Sequence, residues 1–396
     1  MRLLFLTPQL PYPPEKGTAL RNWGLIRGLA ERHQVDLLSF RKPGKAGGLE
    51  PPLTNVCRRI ATIPQPERSR WERLRDMVRT QQPDMALRLL SEAFERRLTQ
   101  WLRETDFDVV QIEGIELAPY LATVRSATRH ATVIFDDHNC EYLLQRRTFL
   151  TDLGSPTRWP GAAYSFVQWR RLRRYESKVC RRADEVLAVS DADAKALKSL
   201  IPNIHPTVIP NGIDTAQYHP SVSRADTRPR NTLIFTGTMD FRPNVDAVLW
   251  FARHVLPLVQ AEVPDVQFLV VGQRPHRRLA PLRANPAITL TGWVEDVRPY
   301  FADATVYVAP LRVGGGTRLK LLEAMAMGKP IVSTSMGAEG YPVEHDHQLL
   351  LADTAPAFAA EVVSLLRAEE RRAELAQTAR NFVEERYDWH VIVPLL

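Results

Sequence analysis

The 396-residue chain has no apolar run approaching the ~20 residues that a membrane-spanning helix needs, and Leu3 to Leu6 is too short for a secretion-signal core. A cytoplasmic location is therefore expected. Cysteine is scarce: Cys57, Cys140 and Cys180 lie far apart in no ligand spacing, which argues against a disulfide framework and against a zinc site. Neither strand-opening loop reads G-x-G-x-x-G, which argues against a dinucleotide oxidoreductase. An acidic excess is also missing. The net charge of +7 suits nucleic acid, anionic lipid or an anionic small substrate, but no DNA- or RNA-binding motif is recognisable, so nucleic acid is not expected as a partner.

What is present is an α/β pattern twice over. The first half opens with a strand over Arg2–Thr7, the loop PYPPEKGTALRNWG, a helix to Arg32 and a strand over Val35–Phe40. The second opens with a strand over Thr232–Phe235, the loop GTMDFRPN, a helix from about Val245 and a strand over Val266–Val271. Each is the strand, loop, helix, strand unit of a doubly wound sheet. Further strands are expected near 109–112, 132–135, 186–189, 207–209, 288–290 and 306–309. The length suits two domains: 1–217, a polar, Pro-containing linker over 218–230, and 231–378. A ligand is expected beyond the carboxyl ends of the strands, in a cleft between two facing domains.

The run APLRVGGGTRLKLLEAMAMGKPIV is the most informative segment. Val306 to Ala309 reads as a buried strand, and Thr317 to Met327 as a helix stopped by Gly328 and Pro330. Consecutive glycine amides make an anion-binding nest, and the first helical turn carries partial positive charge. Arg318 and Lys320 lie in that turn, where the helix dipole disfavours cations by ~0.3–1 kcal/mol each, so something negative is expected there. Glu323 stands in an otherwise apolar helix and needs donors, which the vicinal hydroxyls of a ribose supply. Diphosphate and ribose together indicate a nucleotide.

A second feature is the tract from Arg146 to Arg182, where ten cations face only Asp152 and Glu176, with Trp159, Tyr164, Phe166 and Trp169 interleaved. Such a helix either rests on an anionic membrane surface or turns its aromatic side into the core. A second Arg-rich tract runs from Arg68 to Arg103.

With these motifs in order, together with VIPNGID, VVGQRP and TGWVEDVRPYFADATVYVAP, the chain resembles the retaining glycosyltransferases of family 4 (group 1) over nearly its whole length. The subgroup it looks most like is that of the exosortase-linked exopolysaccharide sugar transferases. The resemblance implies the GT-B fold, two facing Rossmann-like domains, with a C-terminal helix (379–396) returning onto the first. It implies transfer of a sugar from a nucleoside-diphosphate sugar to a glycan or lipid-linked acceptor, peripheral to the inner membrane face. Glu323 would bind the ribose, and Thr317 with the amides after Gly316 the diphosphate. Gly315, Gly237, Asn244 and Val294 complete the donor side. Gly17 and Thr18 would form the opposing loop, and His138 would approach the donor sugar. Lys16, beside Gly17, touches phosphate or solvent. Glu113, Asp137, Asn139 and Glu141 are acceptor-side candidates.

Two departures from the family pattern stand out. Most members carry two glutamates eight residues apart, and the first position is Gly315 here. An Arg and a Lys expected after the first strand of the second half are replaced by Thr238 and Asn244. Arg318 and Lys320 are inferred to have taken over neutralisation of the leaving diphosphate, so His138, Arg318 and Lys320 are the expected catalytic residues. No metal and no cofactor are expected. The Asp106/Asp108 pair reads as the end of a loop, Asp191/Asp193 as the first turn of a helix capped by Ser190, and His345-Asp346-His347 as a solvated loop. Two rival readings are a nucleotide-sugar epimerase of the same fold and a non-catalytic sugar-nucleotide-binding protein.

Overall fold

The computed structural model describes residues 1–14, 17–42, 51–128, 130–154, 156–220 and 231–396. Lys16 and positions 221–230 of the expected linker lie outside the described residues. The chain forms two units, Met1–Asn211 with Ile392–Leu396, and Gly212–Val391.

The first unit is built on a seven-stranded parallel sheet in the order β3-β2-β1-β4-β5-β6-β7. Its strands are β1 Arg2–Thr7, β2 Gln34–Arg41, β3 Arg59–Pro64, β4 Val109–Glu113, β5 Thr132–Asp137, β6 Glu185–Ala188 and β7 Thr207–Val208. The inner strands are buried on both faces. LLFLT of β1 is covered throughout, as a central parallel strand between helical layers requires. One layer packs Phe94, Leu98, Trp101 and Leu102 of helix Glu92–Glu104 against Leu6, Phe40 and Ile112.

The second unit repeats the plan with six strands in the order β10-β9-β8-β11-β12-β13. These are β8 Thr232–Thr236, β9 Gln267–Val271, β10 Ile288–Gly292, β11 Val306–Ala309, β12 Ile331–Ser333 and β13 Leu350–Leu351. In each unit the chain winds outward from the first strand and then reverses. The switch points are therefore β1/β4 and β8/β11, and the loops leaving those strands are where a doubly wound sheet binds its ligand.

The division falls earlier than the expected boundary at residue 217. Ile213 pairs its backbone with Tyr387, and Arg380 donates to the carbonyls of Thr215, Tyr218 and Ala326, so the stretch after Asn211 is held in the second unit. The C-terminal helix also differs from expectation. It spans Glu369–Arg386 and packs on the second unit, because Leu375, Ala379, Phe382 and Val383 form an i, i+4, i+7, i+8 stripe that that unit's core covers. Of the expected 379–396 segment only Ile392–Leu396 joins the first unit, where Val393 sits on Gly28.

Candidate active site

In the second unit the loop after β8 and the helix after β11 meet at the switch point. Helix Leu319–Ala326 begins two residues later than expected, with Arg318 as its extended N-cap (φ −102°, ψ 90°). Lys320, in the first turn, points across to the β8 loop. Its Nζ donates to Asn244 Oδ1 at 2.7 Å and lies 4.3 Å from the Phe235 ring centroid. Asn244 in turn donates to the Thr238 carbonyl at 2.9 Å, which fixes its amide so that the oxygen faces the ammonium. Gly237 makes room for this arrangement. At φ +147° a Cβ would stand 2.7 Å from Asn244 Nδ2 and 2.8 Å from Lys320 Nζ, so only glycine leaves the ammonium its place.

Burial pushes the Lys320 ammonium down to about 7, the nearby Arg318 adds to the shift, and Glu323 opposes it. An ammonium held this way gains strongly from an incoming anion. Arg318 behaves differently from the expectation of a cation projecting from the helix start. Its guanidinium donates to the Gly315 carbonyl of its own loop, and Gly314 (φ +119°) provides the clearance, since a Cβ there would lie 2.9 Å from Arg318 Nη2. The loop is thus wrapped around the cation. Gly316 turns at φ +73°, and Thr317 packs beneath Gly340, so the segment that delivers the first helical amides is tightly shaped.

Glu323 lies one turn beyond Lys320. Burial raises its pKa, with Lys320 and the Tyr218 hydroxyl pulling the other way, and Tyr218 Oη stands 3.5 Å from Glu323 Oε1. Tyr218 is a site residue that sequence reasoning placed in the linker. Val294 follows the end of β10, half-buried in the unit's core, next to Gly292 at φ +75° and the exposed Trp293.

The first unit gathers a different cluster at its own switch point. Gly17 and Thr18 open helix Gly17–Ala30. One turn along, Arg21 is 1% exposed and forms a two-pronged ion pair with Asp136, Nε to Oδ2 at 2.8 Å and Nη2 to Oδ1 at 3.0 Å. Its remaining donors reach the Ile209 and Pro210 carbonyls, which explains part of the VIPNGID motif. The sequence reading missed this pair, since nothing local in ALRNWG marks the arginine as buried.

Next to it, His138 Nε2 lies 2.6 Å from Glu113 Oε2. Gln111 donates to Glu113 Oε1 at 2.6 Å, and the Asn22 amide, with its nitrogen turned to Glu113, donates to Oε2 at 2.7 Å and to the Thr18 carbonyl at 3.2 Å. Glu113 is fully buried, so it supports His138 and does not meet an acceptor, as it was expected to. Burial alone would lower the His138 pKa. The hydrogen bond to Glu113 and the charge of Asp136 outweigh it and raise the value.

Asp137 also departs from the expected acceptor role. It is 1% exposed, and burial beside Glu176 raises its pKa well above the carboxylate range. Glu176 is pushed up to about 7 by burial and accepts from the Glu141 and Tyr142 amides at 3.0 Å each, capping helix Glu141–Leu153. The two acids lie within 4.8 Å of one another in the interior, so each disfavours the charge of the other. Glu141 is raised to about 8 by burial and by Glu116 and Glu176. Asn139 stands between His138 and this helix, with its side chain bonded to Glu141.

Among the described residues two groups have metal-ligand composition, Glu113/Asp136/His138 and Asp137/Cys140/Glu176. In the first, Arg21 occupies the carboxylate of Asp136 and supplies the balancing charge; in the second, the Glu141 and Tyr142 amides engage Glu176. The other decoys behave as expected. Ser190 caps helix Asp191–Leu200, Asp108 accepts from the Arg2 amide at 2.6 Å, and Asp346 pairs with Arg371 at 2.6 Å.

The chain matches the model of "Glycosyltransferase Family 4" over residues 16–217 and that of "Glycosyl transferases group 1" over 230–368. It is 22% identical over 399 residues to an uncharacterized 44.6 kDa protein in the cps region of Klebsiella pneumoniae, spanning 98% of this chain and 96% of that protein. It is 28% identical to the phosphatidyl-myo-inositol mannosyltransferase of Mycolicibacterium smegmatis, over 76% and 72% of the two chains. Among solved structures, Alr3699/HepE of Anabaena in complex with UDP aligns with a TM-score of 0.66 at 16% identity, over 100% of this chain and 98% of that one. The sucrose-phosphate synthase of Thermosynechococcus elongatus aligns at 0.71, also at 16% identity, over 100% and 97%. Two Rossmann-like units with reversing parallel sheets, and family models that cover both, lead to one assignment: the chain has the GT-B fold and belongs to glycosyltransferase family 4, the group 1 glycosyltransferases.

Proposed function

We propose that the protein is a retaining, metal-independent transferase that moves a sugar from a nucleoside-diphosphate sugar to a glycan or lipid-linked acceptor in exopolysaccharide biosynthesis, of the kind linked to exosortase systems. The observation that carries this reading is the ammonium of Lys320. It is seated over Gly237 and Asn244 where the β8 loop meets the next helix, with Glu323 one turn away. Cleaving a sugar–diphosphate bond leaves negative charge on the departing oxygen, and a site that stabilises it must hold its cation in place beforehand. Lys320 fills that role, aided by Arg318, by the amides of Gly315 and Gly316 and by Thr317. Glu323 grips the ribose. His138, held by Glu113, orients the sugar or receives a proton.

The relatives support the substrate class. One is solved with UDP and with UDP-glucose, others are mannosyltransferases named for phosphatidyl-myo-inositol, one is named for lipopolysaccharide core biosynthesis, and one lies in a cps region. Retention by front-face attack is the route proposed here, since Glu113 and Asp136 are already committed to His138 and Arg21.

The test is a panel of UDP-, GDP- and ADP-sugars with the purified protein and candidate acceptors, following nucleotide release with and without a chelator. Acceptor-dependent release that the chelator leaves unchanged is expected. Conversion of a sugar nucleotide with no acceptor would instead indicate an epimerase, and release abolished by chelation would contradict metal independence.

The state of Lys320 gives a pH signature. In the free protein it titrates near 7, and a bound diphosphate raises that value, so binding at pH 8 must draw a proton from solvent. Between the free and bound values, affinity should fall up to about tenfold per pH unit as pH rises. Calorimetry of UDP, GDP or ADP binding at pH 8, in buffers of different ionisation enthalpy, should show proton uptake in the wild type. Binding with no uptake would remove Lys320 from the diphosphate site.

A further inference from the structure

We propose that helix Arg70–Arg79 of the first unit is the element with which the protein docks on an anionic lipid bilayer. This rests on the reading of a lipid-linked acceptor above and moves the expected membrane contact from the 146–182 tract, where the sequence suggested it, to a helix laid against that tract. Within the tract, Trp169, Leu172, Tyr175 and Val179 pack into the first unit's core, so part of its aromatic side is structural.

Helix Arg70–Arg79 is amphipathic but mounted the opposite way round. Trp71, Leu74 and Val78, at i, i+3 and i+7, form one stripe, and they are 80%, 48% and 78% exposed. Polar contacts, not the apolar stripe, tie the helix to the protein. Arg68 binds Asp76 and Asp84, Arg73 binds Asp84 and the Tyr164 hydroxyl, and Arg171 of the neighbouring helix Trp159–Cys180 donates to the Met77 carbonyl at 2.6 Å. A Ser69–Glu72 capping box closes its N-terminus. The helix is therefore well formed and firmly attached with its apolar face outward. Burying nothing of its own, it has no folding reason to carry a tryptophan there.

The stripe is not isolated. Of the fifteen large apolar side chains exposed among the described residues, eight lie on this helix, on its neighbour Trp159–Cys180, and on Glu141–Leu153, which packs against that neighbour; Trp159 (58%) and Phe166 (42%) are among them. The same helices carry exposed cations, Arg79 and the Asp76-paired Arg75 on the first and Arg170 and Arg174 on its neighbour. Apolar side chains that insert at the interface, with arginines at headgroup level, match an anionic bilayer. A second copy of this chain fits less well, because a two-fold contact would bring the same cations together in a protein of net charge +7.

The test is co-sedimentation of the full chain with vesicles of phosphatidylglycerol and phosphatidylcholine, compared with phosphatidylcholine alone. No nucleotide is needed, so the result is independent of the donor-site reading. The wild type should bind the anionic vesicles, and more weakly as salt rises. Trp71→Ser with Val78→Ser should weaken binding at least tenfold, and Arg75→Glu with Arg79→Glu by a similar factor, about fivefold per cation removed. Unchanged thermal melting and circular dichroism would show that these variants are folded. Equal vesicle binding by wild type and variants, or none by the wild type, would overturn the proposal. So would a concentration-dependent dimer in light scattering that Trp71→Ser dissolves, which would assign the stripe to a second copy.

Discussion

Replacing Lys320 by methionine, which keeps the stem and removes the charge, is expected to lower sugar transfer by two to three orders of magnitude. The size follows from the loss of one prepositioned charge at a leaving group, ~2.7–4 kcal/mol of barrier. The loss should fall mainly on kcat, because the leaving oxygen acquires its charge in the transition state. Stability should move the other way. A lysine lowered from 10.5 to about 7 binds fewer protons in the folded than in the unfolded chain between those values. Its penalty on folding is therefore complete below about pH 7 and shrinks as pH rises toward 10. At pH 6 to 7 the variant without ligand should melt no lower than the wild type, whereas the same added concentration of nucleoside diphosphate should raise the melting temperature of the wild type by more than that of the variant. A variant that turns over normally, or that unfolds, would contradict this view of Lys320 as a strained, ligand-directed cation.

The second large effect is expected at Glu323. A carboxylate in the apolar helix LKLLEAMA is raised by burial, and its hydrogen-bond partner among the described residues is the Tyr218 hydroxyl at 3.5 Å. Two ribose hydroxyls would give it the donors it needs, each charged hydrogen bond contributing about 1.5–3 kcal/mol. Glu323→Gln should therefore reduce kcat/KM with the preferred sugar nucleotide by ~10²-fold or more. The more specific readout is discrimination. The wild type should reject the 2′-deoxy and 3′-deoxy forms of its nucleotide strongly, and the variant should treat ribo and deoxy forms nearly alike. Tyr218→Phe should give a milder version of the same change. If the variant kept full discrimination, the ribose would be bound elsewhere.

The parts of this fold that could be read in advance are those whose cause is local. β1 and β11 fall where the apolar runs LLFLT and VYVA put them, and Ser190 caps its helix because serine followed by acids has few other uses. β3 and β13 were not visible: RIATIP is a half-buried edge strand and Leu350–Leu351 only two residues, so neither has an apolar run of its own. The site shows the same split. The glycines, Lys320 and Glu323 stand out within one segment, since cations at a helix start and an acid in an apolar helix are both anomalies of short range.

Partnerships across the sequence were hidden. Arg21 with Asp136, Asp137 with Glu176, and Tyr218 with Glu323 join residues 39 to 115 positions apart. Glu113 was misread for the same reason. At the end of VVQIEG it looks available, and only the fold brings Gln111, Asn22 and His138 around it. The C-terminal helix was assigned by resemblance, and its own stripe, Leu375 to Val383, places it on the second unit.

The central claim is that Lys320 and Glu323 together hold a nucleoside diphosphate. Its most direct test is a calorimetric titration of UDP, GDP and ADP into the wild type, Lys320→Met and Glu323→Gln. At least one of the three should bind the wild type, with affinity reduced at least tenfold in each variant. Binding of none to the wild type, or equal binding to all three proteins, would contradict the account.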